Sequence, residues 1–296
     1  MKSPQMKTQV SQQSSKDMLE KMAGLHWMTV TLAVLLSAGN SLAAVDQNQL
    51  RRIVNEILNR FTPSYGNGRN FPMFSVAVSI PYNSDTKMYD IGKVTDDGDK
   101  VRKTIVDCEV YTSERMVAAT VLRWRNVLRQ CPGGRVQWPD VLDKCPRTVK
   151  TWADVENWCS GAVKDKRADH AEYRTLQRFN TLVNRKDNKQ DLLLFYVLAS
   201  PCDKRCTSES SRFNILESIN QILNWNNYAV VFSDVFKPRD GLIPEDDLRG
   251  SLERLGRYRG HLGSVGLNNI FRCNKQQCRS CSSNNEVARF CFSNHP

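Results

Sequence analysis

Two short stretches decide the reading of this chain: Asp169-His170-Ala171-Glu172-Tyr173 and, later, Ser200-Pro201-Cys202-Asp203-Lys204-Arg205-Cys206. Together they offer one imidazole, two thiols and one carboxylate. His170, Cys202 and Cys206 are three donors of the kind that hold zinc with a fourth position open, and Glu172 is a proton carrier beside them. Two plainer readings compete. Cys202 and Cys206 lie four apart, close enough on a helix to form a disulfide, and a lone histidine suits a helix cap or a core position. Order and setting favour the metal. The pair reads as a zinc site.

The flanking sequence supplies that setting. Leu176, Phe179 and Val183 follow His170 at helical spacing, which puts His170 and Glu172 in the first turn of a helix. Residues 191–200 (DLLLFYVLAS) form a near-continuous apolar run, suited to a central strand buried on both faces. Pro201 stops that strand and opens a helix, with Cys202 in its first turn and Cys206 one turn on. Phe213, Leu216, Ile219 and Leu223 continue the same helix.

Compartment follows from the ends and the cysteines. Lys16 and Lys21 precede an apolar run from Trp27 to Leu36, and Ser41-Leu42-Ala43 presents small residues for cleavage. Residues 1–43 therefore read as a secretory signal, since the apolar run is too short to span a bilayer comfortably. The expected product is secreted and free of the membrane. All ten cysteines follow the leader, and setting aside Cys202 and Cys206 leaves eight, enough for four disulfides in an oxidising compartment. Spacing does not fix their connectivity. The formal charge is +11, and removing the leader's four lysines and two acids leaves +9, which favours polyanionic partners such as nucleic acid.

Along the rest of the chain, Leu50, Ile53, Val54, Ile57, Leu58 and Phe61 form one face of a helix running from Asp46 to near Pro63. Residues 72–80 alternate as a strand. Residues 103–112 (KTIVDCEVYT) read as a second strand, hairpinned to the first through a polar loop, and residues 116–128 read as a helix. A stretch of about 113–168 holds Cys131, Cys145 and Cys159 and reads as a disulfide-tied insertion, too short and broken for a core of its own. A lid beside His170 is the alternative reading. Residues 228–236 form a further strand, residues 245–258 a helix, and residues 263–271 a poorly defined strand. The domain boundaries expected are 44–265 for the zinc domain and 266–296 for a Cys-rich tail, whose four cysteines suit disulfides better than a metal knuckle.

The two opening stretches resemble the zinc-deaminase signature, H-x-E followed by P-C-x-x-C, with one more residue between the cysteines. HAEYRTL, SPC and a second cysteine four residues on, set in this order of elements, are most similar to secreted AID/APOBEC-like polynucleotide cytidine deaminases of the cytidine deaminase superfamily. The resemblance implies an α/β fold of three layers, α-β-α, with a mixed five-stranded sheet and helices on both faces. It implies zinc on His170, Cys202 and Cys206, with Glu172 as the catalytic proton carrier. The implied reaction is hydrolysis of cytosine to uracil in single-stranded DNA or RNA. A helix between the last two strands makes them parallel, which in this superfamily goes with polynucleotide rather than free-nucleoside substrates. Ala199 and Ser233 stand where the family carries aromatics, which leaves Tyr196, Phe232 and Phe236 as candidate pocket walls. A free (deoxy)cytidine deaminase and a catalytically silent secreted nucleic-acid-binding protein are the rival readings. An intact Glu172 argues against the second, because a structural zinc has no need of it.

Overall fold

The eight residues Leu192–Ala199 form the strand that everything else packs around. The computed structural model describes residues 45–64, 72–184, 189–238 and 242–293; the expected leader lies outside them. In chain order the elements used below are α1 (Gln47–Phe61), β1 (Phe74–Ile80), α2 (Gly98–Val106), β2 (Tyr111–Thr112), β3 (Met116–Thr120), β4 (Leu122–Arg123) and α3 (Trp152–Cys159). They continue with β5 (Ala168–Asp169), α4 (Ala171–Leu176), β6 (Leu192–Ala199), β7 (Asn227–Asp234), α5 (Glu245–Arg257), β8 (Ile270–Cys273) and β9 (Cys278–Ser280).

Side chains alternate across a strand, and β6 shows the consequence. Leu192, Leu194 and Tyr196 enter one apolar cluster, while Leu193, Phe195 and Val197 enter the other. Both faces of β6 are covered, at about 1.5–3 kcal/mol for each large apolar side chain removed from water. On the first face lie α1 and α2. The Asp46 carboxylate caps α1, accepting from the Gln49 N–H at 2.6 Å, and Leu50, Ile53, Val54, Ile57 and Phe61 face the sheet. On the second face lie α4, α5 and the segment after Cys206, through Leu176, Phe179, Leu252, Leu255, Ile215 and Ile219. This is the expected three-layer α/β arrangement with a mixed sheet.

The sheet has seven strands, ordered β9-β8-β7-β6-β1-β3-β2, rather than the five expected. β6 runs antiparallel to β1 and parallel to β7. The expected crossover is present: α5 carries the chain over so that β8 returns parallel to β7, pairing Ile270 with Val230. The two additional strands, β2 and β9, are short edges.

Two assignments around the first hairpin change places. Of residues 103–112 only Tyr111–Thr112 is a strand, β2. Asp97, read as loop, caps a helix by accepting from the Asp99 and Lys100 N–H groups, and Val101 and Ile105 bury one turn apart in α2. Residues 116–128 are not helical, apart from Val127 and Leu128 at the start of a short helix. Met116–Thr120 is β3, buried along its whole length and paired antiparallel with β1. Its Met-Val-Ala-Ala-Thr run lacks period-two alternation because both faces are covered, and its alanines mimic helical preference.

The remainder of the expected insertion builds a core of its own, contrary to the sequence reading. Trp124, Trp138 and Trp152 are buried with Val127, Val136, Val141 and Val155. Trp138 meets Trp152 edge to face at 4.8 Å between centroids. Large aromatic area compensates for the shortness of the segment. Cys108–Cys131 and Cys145–Cys159 tie it, and the β4–β5 ribbon closes its base. In the tail, Cys273–Cys278 and Cys281–Cys291 complete four disulfides, the number expected. Among the described residues no helix is long and apolar enough to cross a membrane.

Candidate metal centre and its pocket

His170 stands where β5 gives way to α4, in extended backbone at the N-cap position. Its approach is pinned on both sides. The Ala168 carbonyl accepts from Arg205 at 2.7 Å, and the Asp169 carboxylate accepts from the buried Trp138 indole N–H at 2.9 Å. Burial pushes the Asp169 carboxyl up, against the Trp138 bond and nearby guanidinium groups. Inside α4, Arg174 is buried and donates to the carbonyls of Thr120 and Cys108 and to Gln137, locking the helix to β3 and to the insertion. Glu172, in the first turn of α4 as expected, is 3% exposed.

Cys202 and Cys206 follow the end of β6, but in a turn rather than the expected helix. The Thr207 N–H reaches the Cys202 carbonyl at 3.2 Å, and the Cys206 N–H approaches the Cys202 sulfur at 3.4 Å. The Ile215 N–H takes the Cys206 carbonyl at 2.8 Å, and only at Leu216–Ile219 does a short helix form. Pro201 ends the strand as anticipated, while the polar run Asp203-Lys204-Arg205 has no apolar face with which to dock a helix.

The three donors meet. His170 Nδ1 lies 3.1 Å from Cys206 Sγ and 3.6 Å from Cys202 Sγ, and the two sulfurs lie 3.2 Å apart. That separation is not a disulfide, whereas the other eight cysteines are bonded at 1.98–2.01 Å. The donor-to-donor edges of a tetrahedral ion with sulfur and nitrogen ligands are roughly 3.5–3.8 Å, so the cluster approaches such an ion to within about half an ångström. His170, Cys202 and Cys206 fit a metal ion. Alkylation under denaturing, non-reducing, chelating conditions is expected to label Cys202 and Cys206 alone; label on Cys273, Cys278, Cys281 or Cys291 in the mass spectrum would contradict the pairing.

The electrostatics of the cluster suit this role. The hydrogen bond between the sulfurs, with His170 beside them, holds the Cys202 thiol far below its ordinary value. The same bond, with burial and the nearby Glu172 carboxylate, pushes Cys206 up. Burial works against a charged His170 imidazole, but the Cys202 sulfur and Glu172 outweigh it and raise the ring. Protons and a cation compete for the same electron-rich donors. Glu172 Oε1 lies 3.2 Å from Cys206 Sγ, beside the cluster.

A cavity of about 640 Å³ opens over these residues, floored by His170, Ala171 and Glu172 and walled by Met73, Val121, Leu198, Ala199 and Val235. Phe236 lines it. Tyr196 and Phe232 do not. Tyr196 is buried on the α1 face, bonded to Ser233 at 2.8 Å, and Phe232 is buried on the α4 face. Both sit within strands covered on two sides, whereas the cavity opens at the strand ends. Sequence reasoning missed Arg123, Asn126 and Lys237 at its edge. Arg123 belongs to the two-residue ribbon strand β4, too short for a periodicity signal. A larger cavity, about 1100 Å³, lies against the insertion and takes Leu122, Asp169 and Tyr173 into its lining instead of Arg123, Ala168 and Glu172. None of the three metal donors lines it.

Comparison with known proteins gives one match: residues 155–295 fit the model of a family described as Secreted Novel AID/APOBEC-like Deaminase 1. Searches of curated proteins and of solved structures returned no match. The matched span runs from α3 through both donor stretches to the tail. With the H-x-E and P-C-x-x-x-C donors joined at the ends of β5 and β6, and β8 parallel to β7, the chain is similar over residues 155–295 to the AID/APOBEC-like deaminase family.

Proposed function

We propose that the protein is a secreted, zinc-dependent hydrolytic deaminase that converts cytosine to uracil in single-stranded DNA or RNA. The observation that carries this reading is the buried Glu172 carboxylate beside a His170–Cys202–Cys206 donor set, at the floor of an open cavity. A metal used only to brace the fold needs neither the carboxylate nor the cavity. Two thiolates and one imidazole suit zinc. When bound, zinc supplies a Lewis acid that makes water nucleophilic near neutral pH.

The chain's own residues do the rest. Glu172 takes a proton from the attacking water and hands it to ring N3. It then moves the second water proton to the exocyclic nitrogen. The water oxygen bonds to C4, the C4–N4 bond breaks, and ammonia and uracil leave. Burial of Glu172 keeps bulk water from intercepting the proton. Ala199, Val235 and Phe236 provide the apolar walls for a flat ring, and Arg123 and Lys237 place positive charge where a phosphate follows the base. The four disulfides and the basic chain agree with export and a polyanionic substrate.

Among the described residues Phe236 is the one aromatic wall, and base stacking on it is modest, on the order of 1–3 kcal/mol. The decisive experiment incubates the zinc-loaded protein with single-stranded DNA, single-stranded RNA and free cytidine, and measures uracil in each. Uracil from a polynucleotide is expected. Release from cytidine alone moves the assignment to nucleosides, and none from any substrate retires the enzymatic reading in favour of a binding protein.

A further inference from the structure

The cysteines of the centre sit on a turn with little internal bonding, yet metal sites need donors fixed in advance. The helix α5 supplies what the turn lacks. Ser251, fully buried, donates to the Pro201 carbonyl at 2.7 Å. Arg254, one turn on, donates through Nε to the Thr207 carbonyl at 2.8 Å and through Nη2 to the Asp203 carboxylate. Residues three apart share a helix face, so both reach the same neighbour. Their acceptors, Pro201, Asp203 and Thr207, bracket Cys202 and Cys206. The aliphatic side of α5 is anchored beneath them by Leu252 and Leu255.

We propose that Arg254, assisted by Ser251, is the positioning residue that holds the Cys202–Cys206 turn in ligand geometry. The inference rests on the metal-centre reading above and names the part of the chain that makes the site rigid. A guanidinium suits the task because its planar fork satisfies a carbonyl and a carboxylate at once. Lysine at the same place has one ammonium and no second fixed direction. The element that sets the parallel return of β8 therefore also fixes the separation of the two sulfurs.

The test measures zinc affinity by competition with a chromophoric chelator, and the zinc-induced rise in melting temperature, on the full secreted chain. Arg254→Met keeps the aliphatic stem and removes the fork. It is expected to weaken zinc by about 10–100-fold, the range for partners that orient ligands. Arg254→Lys should recover part of the loss, and Ser251→Ala should weaken zinc less than Arg254→Met. Arg257→Met, which removes only an exposed bond to the Asn285 carbonyl, should bind zinc as the wild type does. If Arg254→Met does not fold, Ser251→Ala and Arg254→Lys carry the measurement. Wild-type zinc affinity in folded Arg254→Met, with only the metal-free melting point lowered, would show mere packing and overturn the inference. Tight zinc in a wild type that deaminates nothing ends the enzymatic reading and leaves this test intact. A wild type that takes up no zinc overturns both.

Discussion

Glu172→Ala is expected to keep its zinc and its melting temperature while losing deamination by about 10²–10⁴-fold. The side chain is 3% exposed and belongs to none of the three donors, so its removal leaves the cluster of His170, Cys202 and Cys206 intact. Its one contact there is with Cys206 Sγ, at 3.2 Å. Losing that contact also relieves a buried carboxylate of its desolvation, so stability should change little. What disappears is the group that moves protons between water, ring nitrogen and leaving amine. Elemental analysis, a thermal melt and uracil release from the preferred substrate read the three quantities separately. Deamination that survives in Glu172→Ala would mean another group moves the proton and would end the role assigned to it.

The companion variant, His170→Ala, should lose metal and activity together. Two sulfurs on one short turn remain, and without the imidazole from the β5–α4 junction the site has lost one of its three donors. Because binding to the folded chain alone stabilises it, zinc at about a thousand times its Kd adds about 4 kcal/mol. For a chain of this size that corresponds to a melting shift on the order of 10 °C. His170→Ala should therefore melt like the metal-free wild type, and chelator should not lower it further. A variant that keeps one zinc per chain, or still melts lower on chelation, would show that the ion sits elsewhere. Set beside Glu172→Ala, the pair separates holding a metal from using it.

How much of this was legible depended on how each segment is buried. α1 and α5 each have one wet face, so Leu50, Ile53 and Ile57, or Leu248, Leu252 and Leu255, stood out at helical spacing. β6 was legible as an unbroken apolar run between a charged approach and Pro201. The donors were legible because thiols and imidazoles at this spacing have few other uses. β3 and α2 were misread for one reason in two forms. A five-residue strand with both faces covered carries no alternation, and a helix whose cap lies in Thr95-Asp96-Asp97-Gly98 begins where a loop was expected. The Cys202–Cys206 turn was read as a helix because local preference says nothing of Ser251 and Arg254, which arrive from far along the chain to shape it. Tyr196 and Phe232 were assigned to the cavity by residue type, and the sheet's two-sided cover puts them elsewhere.

The two ends of the sheet carry a consequence for how the chain avoids its own copies. An exposed edge of hydrogen-bonding backbone invites a foreign strand to pair, and long flat edges are how sheets aggregate. Here one edge, Tyr111–Thr112, is two residues long. The other, Cys278–Ser280, is three residues long, is stapled to its neighbour through Cys273, and presents Arg279 directly opposite Arg272. An incoming strand would find too few free backbone groups to pair with and the exposed Arg279 guanidinium repelling any basic sequence. The cysteine-rich end of the chain thus acts as a selvedge, stopping the weave of the sheet before a second molecule can extend it.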